Sequence, residues 1–345
     1  MKLKRFAVNS LPLLVAMTLP CASTAFAQEA GFYKGKTVTI AVGFSPGGGY
    51  DLAARTVSRF IGRYIPGNPT VVVQNMPGAG SLTAINYLSN IAVKDGSFLA
   101  TFSRGIAFEP LVGNKSAQFD PRKLNWIGSP SRETNVVFVR QQSPVKRLED
   151  MRTMETVIAT TGGGADTATF PRIVNKIFNT KLKIVRGYPG ANEALLAVDR
   201  GEADGMAGLS WGYLKTSRPA WIKQDQIRVL LQFGLTKASD LPDVPSALDV
   251  VTDEDDRQLL MFFLARLAMA WPFAAPPNVP ADRVAALRSA FAQTVKDPDF
   301  IAEAEKQSID VSPVSGEDIA GILDKVYASS PAVISRAREI SEEAR

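Results

Sequence analysis

Four glycine-rich loops, each lying between an apolar strand-like run and the start of a helix, constrain this chain more than any other feature. The first follows the apolar run Val38 to Phe44, reads Ser45-Pro46-Gly47-Gly48-Gly49, and precedes a helical pattern that extends to about Tyr64. Asp51 stands where a helix N-cap would stand. A unit of this kind leaves backbone N–H groups free at the positive end of a helix, and that arrangement binds anions.

The same order of strand, loop and helix recurs along the chain. The second loop, Pro77 to Ser81, precedes a helical pattern, and the loops Thr161 to Asp166 and Gly187 to Asn192 do so in the second half. Such repeats predict parallel α/β sheets whose loops lie at the carboxyl ends of the strands. Ligands bind at that edge of an open sheet, so we expect the loops of one half to face those of the other.

The N-terminal residues have the pattern of an export signal. Lys2, Lys4 and Arg5 are positive, residues 11–19 are apolar, and Ala25-Phe26-Ala27 fits the cleavage rule for small residues. We therefore predict a signal peptide over residues 1–27 and a periplasmic mature chain. Removal of this segment takes away three of the positive charges that make up the net charge of +5. The remainder is nearly neutral and has no basic tract, which argues against nucleic acid as a partner.

Two absences exclude whole classes of chemistry. The chain has no histidine, and its one cysteine, Cys21, lies in the predicted signal. Ser-His-Asp and Cys-His catalysis, His/Cys metal sites and internal disulfides are excluded for the mature chain. Carboxylate and lysine chemistry remain open. The apolar run Leu259 to Ala275 is interrupted by Arg266 and Pro272, so we expect a buried helix end and a strand there instead of a membrane span.

Several short segments share an order and a spacing that resemble the Bug family of periplasmic solute-binding proteins, the receptors of tripartite tricarboxylate transporters. They are Phe44 to Asp51 with Arg55 one helical turn later, Val73 to Gly80, Gly187 to Gly190, Gly201 to Gly205, and Leu241 to Ser246. The resemblance covers nearly the whole mature chain.

The resemblance implies a two-lobed α/β fold of the type II periplasmic binding protein class, a Venus flytrap in which each lobe is a mostly parallel sheet flanked by helices. We assign residues 28–131 and 265–345 to lobe 1 and residues 132–264 to lobe 2. In the family, the loop that corresponds to Thr160 to Asp166 closes over the ligand, and backbone amides with ordered water hold a ligand carboxylate.

Positions that match the family's ligand contacts come from both lobes. In lobe 1 they are Phe44, Ser45, Gly48, Gly49, Asp51, Ala79 and Gly80. In lobe 2 they are Thr161, Gly163, Asp166, Tyr188 and Gly190. Two departures from the family pattern are added as candidates: Ser81, where another glycine is common, and Arg104, where a strand usually ends in small residues. We expect Arg104 to add a charge-assisted contact to a second acidic group of the ligand.

The sequence therefore predicts a monomeric receptor for a small carboxylate, such as a di- or tricarboxylate, an amino acid or an aromatic acid, with membrane transporter subunits as partners. No catalytic residue, cofactor or metal is proposed. One alternative is an exported enzyme of the same two-lobed shape that uses carboxylate or lysine chemistry. The other is a sensor or binding module for an aromatic compound without a carboxylate.

Overall fold

The computed structural model describes residues 31–44, 46–161, 165–188, 190–307 and 309–344. The predicted signal peptide and two candidate site residues, Ser45 and Gly163, lie outside the described residues. Two sheets flanked by helices account for most of what is described.

The first sheet takes its strands from both ends of the chain. They are β1 Thr37–Val42, β2 Thr70–Asn75, β3 Phe98–Thr101, β4 Asn125–Ser129, β10 Phe273–Ala275 and β11 Val314–Ser315. Their order is β11-β4-β10-β3-β1-β2. β1 pairs in parallel with β2 and β3, whereas β10 runs antiparallel between β3 and β4. Val38, Ile40 and Val42 of β1 are fully buried, as expected of a strand covered on its inner face.

The second sheet takes its strands from the middle of the chain. They are β5 Asn135–Arg140, β6 Thr156–Ala159, β7 Leu182–Val185, β8 Gly205–Ser210 and β9 Ile227–Phe233. Their order is β7-β6-β8-β5-β9, with β6 parallel to β7 and β8, and β5 antiparallel to β8 and β9. The parallel pairs follow the predicted strand–loop–helix units, and antiparallel neighbours complete each sheet. Both sheets are thus mixed, and neither is the mostly parallel sheet that the resemblance implies, because strands distant in sequence join each sheet in the antiparallel direction.

Helices cover the sheets and follow the glycine loops. Their bounds are α1 Gly49–Ile61, α2 Leu82–Asn90, α3 Asp166–Phe178, α4 Ala191–Asp199, α5 Trp211–Ser217, α6 Pro219–Lys223, α7 Ala247–Val250, α8 Glu254–Leu264, α9 Ala281–Thr294, α10 Pro298–Lys306, α11 Gly316–Tyr327 and α12 Pro331–Ala344. The apolar run 259–275 forms the end of α8, a short 3₁₀ turn and β10, as its interruptions predict. No helix in the described ranges is both long enough and apolar enough to cross a bilayer.

The C-terminal helix α12 reaches a part of the chain far from it in sequence. Its buried residues Val333, Ala337 and Ile340 belong to the same core cluster as apolar residues of α3 and α8. Arg336 pairs with Asp256 on α8. The predicted domain bounds place α12 in lobe 1 and its partners in lobe 2; those bounds stay a prediction.

Candidate functional site

A cavity of about 740 Å³ lies where the carboxyl ends of parallel strands from the two sheets meet. From the first sheet, its walls come from the loops that follow β1, β2 and β3. From the second sheet, they come from the loops that follow β6 and β7 and from the end of β8. This is the edge at which open α/β sheets bind ligands, and the sequence predicts it from the repeated glycine loops.

The loop after β2 enters the cavity in an unusual backbone conformation. Gly78, Ala79, Gly80 and Ser81 have φ values of 146°, 45°, 62° and 82°. Ala79 and Gly80 line the cavity. Within the described part of the chain no hydrogen bond engages the amide N–H of either residue. These donors stand just ahead of α2 and are available to an acceptor in the cavity.

Two helices of the second half begin at the opposite wall. Ala165, Asp166 and Thr167 at the start of α3, and Gly190 and Ala191 at the start of α4, line the same cavity. Among the described residues, no N-cap side chain bonds to the first N–H groups of either helix. The positive ends of both helix dipoles therefore face the space that Ala79 and Gly80 face from the other side.

Part of the remaining wall is apolar. Phe44 and Tyr50 stack with ring centroids 4.6 Å apart and an interplanar angle of 22°. Leu82, Ile106 and Leu209 add aliphatic surface. The cavity thus combines backbone hydrogen-bond donors with an apolar surface, which is the usual composition of a small-molecule site.

Arg104 connects the two halves across the cavity. Its Nη2 and Nε lie 2.6 and 3.2 Å from Asp166 Oδ2, and its Nη1 lies 3.4 Å from Glu133 Oε2. Asn135 Nδ2 donates to the same Asp166 oxygen at 3.1 Å. The backbone N–H of Arg104 donates to Tyr50 Oη at 2.9 Å.

Burial and these charges act against each other. Burial opposes ionisation of Asp166, but the Arg104 and Arg266 guanidiniums outweigh it and hold the pKa of Asp166 below its ordinary value. Burial raises the pKa of Glu133, and the attraction of Arg104 offsets only part of that rise. Burial likewise raises the pKa of Tyr50. Asp166 is the anionic partner of Arg104 in this cluster.

Asp51 does not cap α1, contrary to the sequence prediction. The N-cap is Gly48, and Asp51 lies within the first helical turn, 2% exposed. Its carboxylate accepts from Gly47 N, Arg55 Nε and Asn75 Nδ2 at 2.9, 2.9 and 2.8 Å. The Arg55 hydrogen bond, aided by Gly47 and Asn75, lowers the pKa of Asp51 to about 2. The Asp51 carboxylate therefore connects the first glycine loop, through Gly47 N, to the helix that follows it.

The side chain of Ser81 likewise forms its hydrogen bonds within the protein. It is fully buried, donates from Oγ to Gly43 O at 3.1 Å, and accepts from Ser103 N at 3.1 Å. The hydroxyl therefore joins the loops that follow β1, β2 and β3. It supports the cavity wall without lining it.

The predicted site residues divide into three groups. Those that line the cavity are Phe44, Ala79, Gly80, Arg104, Thr161, Asp166 and Gly190. Those that do not are Gly48, Gly49, Asp51, Ser81 and Tyr188. Ser45 and Gly163 lie outside the described residues. Gly49 instead lines a second cavity of about 640 Å³ beside Trp271, and Tyr188 packs against the apolar cluster under α4. Contact of any of these residues with a ligand stays a prediction.

Three charged residues at or beside the cavity are missing from the sequence prediction. Arg266, 7% exposed, has Nη1 3.8 Å from Asp166 Oδ1. Its position in an apolar run is a signal that could have identified it as a candidate, because arginine is seldom fully buried unless its charge is paired. Glu133 precedes β5, and Glu109 directly follows the 3₁₀ turn Ile106–Phe108 that comes after β3; nothing in their local sequence distinguishes them. Among the described residues, no three potential metal ligands lie together.

The comparisons with known proteins agree with this geometry. A TctC solute-binding protein from Polaromonas has a TM-score of 0.69 at 15% identity, covering 89% of this chain and 98% of that chain. MatC from Rhodopseudomonas palustris, solved with bound malate, has a TM-score of 0.60 at 19% identity, covering 89% and 99%. Another R. palustris protein, solved with adipate, has a TM-score of 0.61 at 16% identity, covering 90% and 97%. At these identities the likeness establishes the two-lobed fold alone.

The sequence itself gives the family. No curated protein matches the chain. The model of the tripartite tricarboxylate transporter family receptor, TctC, matches residues 61–338. Because that match spans most of the sequence, the chain belongs to the TctC family of tripartite tricarboxylate transporter receptors, which are periplasmic solute-binding proteins.

Proposed function

We propose that this protein captures a small carboxylate between its two lobes and delivers it to a tripartite tricarboxylate-type membrane transporter. One observation carries the proposal: backbone donors of both halves, without a hydrogen-bond partner in the described part of the chain, face the same cavity. Residues 1–27 would direct export, residues 28–131 and 265–345 would form lobe 1, and residues 132–264 would form lobe 2.

The donors suit a carboxylate for an electrostatic reason. The amides of Ala79 and Gly80, the start of α3 and the start of α4 all present partial positive charge to the cavity. Each is weak alone, but together they replace the water that a carboxylate loses on entry. Neutral ligands gain much less from such donors, because hydrogen bonds to charged groups are about twice as strong as those between neutral groups.

Capture would be coupled to closure of the lobes. Arg104 comes from the first sheet and Asp166 from the second, so the walls of the cavity belong to different halves of the chain. A ligand that contacts both walls binds the closed form better than the open form and shifts the population toward it. The closed form would then dock on the transporter.

Thermal unfolding with matched acid and amide pairs tests this function. Hexanoate, benzoate, adipate and malate are added at millimolar concentration, each beside its carboxamide. Acids that bind only the native state raise the melting temperature, and the amides leave it unchanged. Equal shifts from acids and amides, or no shift from any acid, would overturn the proposal.

A blocking variant locates the site. Ala191→Phe fills the cavity from the start of α4, and Ala302→Phe places the same ring on an exposed position of α10. We expect the first to abolish the acid-induced shift and the second to retain it. The acid recovered from the complex should be chemically unchanged and stoichiometric, whereas turnover would favour the enzyme alternative.

A further inference from the structure

We propose that the cavity selects a monocarboxylate with an apolar body and discriminates against di- and tricarboxylates, because the arginines that line it are already paired with carboxylates of the chain. This inference rests on the proposed function and names the class of ligand that the same site takes. It argues against the predicted contact between Arg104 and a second acidic group of the ligand.

All three nitrogen atoms of the Arg104 guanidinium contact a carboxylate oxygen of the chain. Nε and Nη2 form a fork on Asp166 Oδ2, and Nη1 faces Glu133 Oε2. The three side chains are only 16, 14 and 11% exposed, so water screens them little. A ligand carboxylate that took the place of Asp166 on this guanidinium would leave a buried protein carboxylate without its main partner.

Arg266 is occupied in a different way. Its Nη1 lies 3.8 Å from Asp166 Oδ1, and its guanidinium carbon lies 5.5 and 5.2 Å from the ring centroids of Phe108 and Phe263. Asp166 therefore shares its two oxygens between two arginines. The rings of Phe108 and Phe263 cover part of the Arg266 guanidinium, and the carboxylate of Asp166 balances its charge.

The formal charges of the cavity do not favour a second ligand carboxylate. Arg104 and Arg266 are balanced by Asp166 and Glu109, and Glu133 lies directly behind Arg104. Glu109 accepts a hydrogen bond from Asn114 Nδ2 at 2.7 Å and is held at the cavity wall. The described residues that line the cavity thus leave no net positive charge for a second anionic group, and such a group loses its hydration on entry.

A single carboxylate has partners that carry no formal charge. The amides of Ala79 and Gly80 and the starts of α3 and α4 can receive it. The body of the ligand then meets the stacked rings of Phe44 and Tyr50 and the aliphatic side chains of Leu82, Ile106 and Leu209. The hydroxyl oxygen of Tyr50 accepts from Arg104 N, and the Tyr50 ring, stacked on Phe44, supplies apolar surface.

Calorimetric titration with pairs of ligands that differ by one carboxylate tests the inference. Hexanoate is compared with adipate, and benzoate with phthalate. We expect each dicarboxylate to bind the wild-type protein at least about tenfold more weakly than its monocarboxylate. Equal or tighter binding of the dicarboxylates would overturn the inference while leaving the carboxylate-receptor function in place. Failure of all four acids to bind would overturn both.

Asp166→Asn tests the cause. This variant keeps the shape of the side chain and releases Arg104 and Arg266, so the preference should shift toward adipate by at least about tenfold. Glu303→Gln, in an ion pair with Arg59 outside the cavity, is the matched control and should leave the preference unchanged. An unchanged preference in a folded Asp166→Asn protein counts against the mechanism.

Glu109→Gln provides a second route if Asp166→Asn does not fold. It removes one negative charge from the cavity wall and leaves the Arg104–Asp166 pair intact. Adipate should gain affinity relative to hexanoate in this variant, by less than in Asp166→Asn. A loss or no change for adipate would contradict the charge argument.

Discussion

Asn75 Nδ2 donates to Asp51 Oδ1 at 2.8 Å and to Phe44 O at 2.9 Å, so that one amide ties the end of β2 to the first glycine loop. Asp51 accepts two further hydrogen bonds on its other oxygen, from Gly47 N and Arg55 Nε. The loop that follows β1 is therefore shaped by a buried carboxylate that is not among the described residues lining the candidate site.

Asp51→Asn should destabilise the protein in a pH-dependent way. The native pKa of Asp51 is lowered to about 2, so its ionised form stabilises the fold above the unfolded-state pKa of about 3.9, and the contribution is lost as pH falls toward 2. We expect the variant to lose about 2 kcal/mol of unfolding free energy at neutral pH.

Urea unfolding at several pH values measures this effect. The difference between the wild type and Asp51→Asn should shrink between about pH 4 and pH 2. A difference that stays constant over that range would show that packing, and not ionisation, is lost in the variant.

Ser81 gives a prediction that separates hydrogen bonding from backbone strain. Ser81→Ala leaves Ser103 N without its acceptor and should cost about 1–3 kcal/mol. Ser81→Gly loses the same hydroxyl, but glycine adopts a φ of 82° without steric cost. We expect Ser81→Gly to be more stable than Ser81→Ala by about 1 kcal/mol in denaturant unfolding. The reverse order would mean that the backbone at residue 81 is not strained.

Gly208 places the start of α3 against β8. An added Cβ would lie 2.5 Å from Asp166 O and 2.7 Å from Phe170 Cβ, at a φ of +79°. Gly208→Ala should therefore move Asp166, lower the melting temperature and weaken carboxylate binding. Gly35→Ala is the matched control, because its φ is +72° with no atom within 4 Å. Equal effects on binding would show that the close approach has no role in the site.

Ile340 tests the packing of α12. It is 3% exposed within the cluster that includes α3 and α8, so Ile340→Ala should cost about 2–4 kcal/mol of unfolding free energy. Ile91→Ala, at a side chain 70% exposed, should cost less than about 0.5 kcal/mol. Chemical denaturation of both variants provides the measurement, and similar values for the two would contradict the described packing.

The sequence predicts the sheets well and the site only in part. Apolar runs followed by glycine loops locate β1, β2, β6 and β7, because the local pattern determines where a strand ends and a helix begins. The antiparallel place of β10 depends on a pairing between distant residues, which no local pattern contains. The same reason explains the site: Ala79 and Gly80 follow from a motif, whereas the pairing of Arg104 with Asp166 joins residues that are far apart in the chain.

Asp51 illustrates a further limit of sequence reading. An aspartate near a helix start favours a cap, and only the position of Asn75 on the next strand shows that the carboxylate is used differently. The short-range rule is sound, but a tertiary hydrogen bond overrides it here.

The position of β10 between β3 and β4 also constrains how the protein is made. If the chain folds from its N-terminus onward, the facing edges of β3 and β4 stay unpaired until Phe273–Ala275 becomes available. The N-terminal portion is therefore not a self-sufficient folding unit, and a fragment that stops before β10 would leave one edge of β3 and both edges of β4 open to self-association. The first sheet is complete only after a strand from the late part of the chain has inserted between β3 and β4.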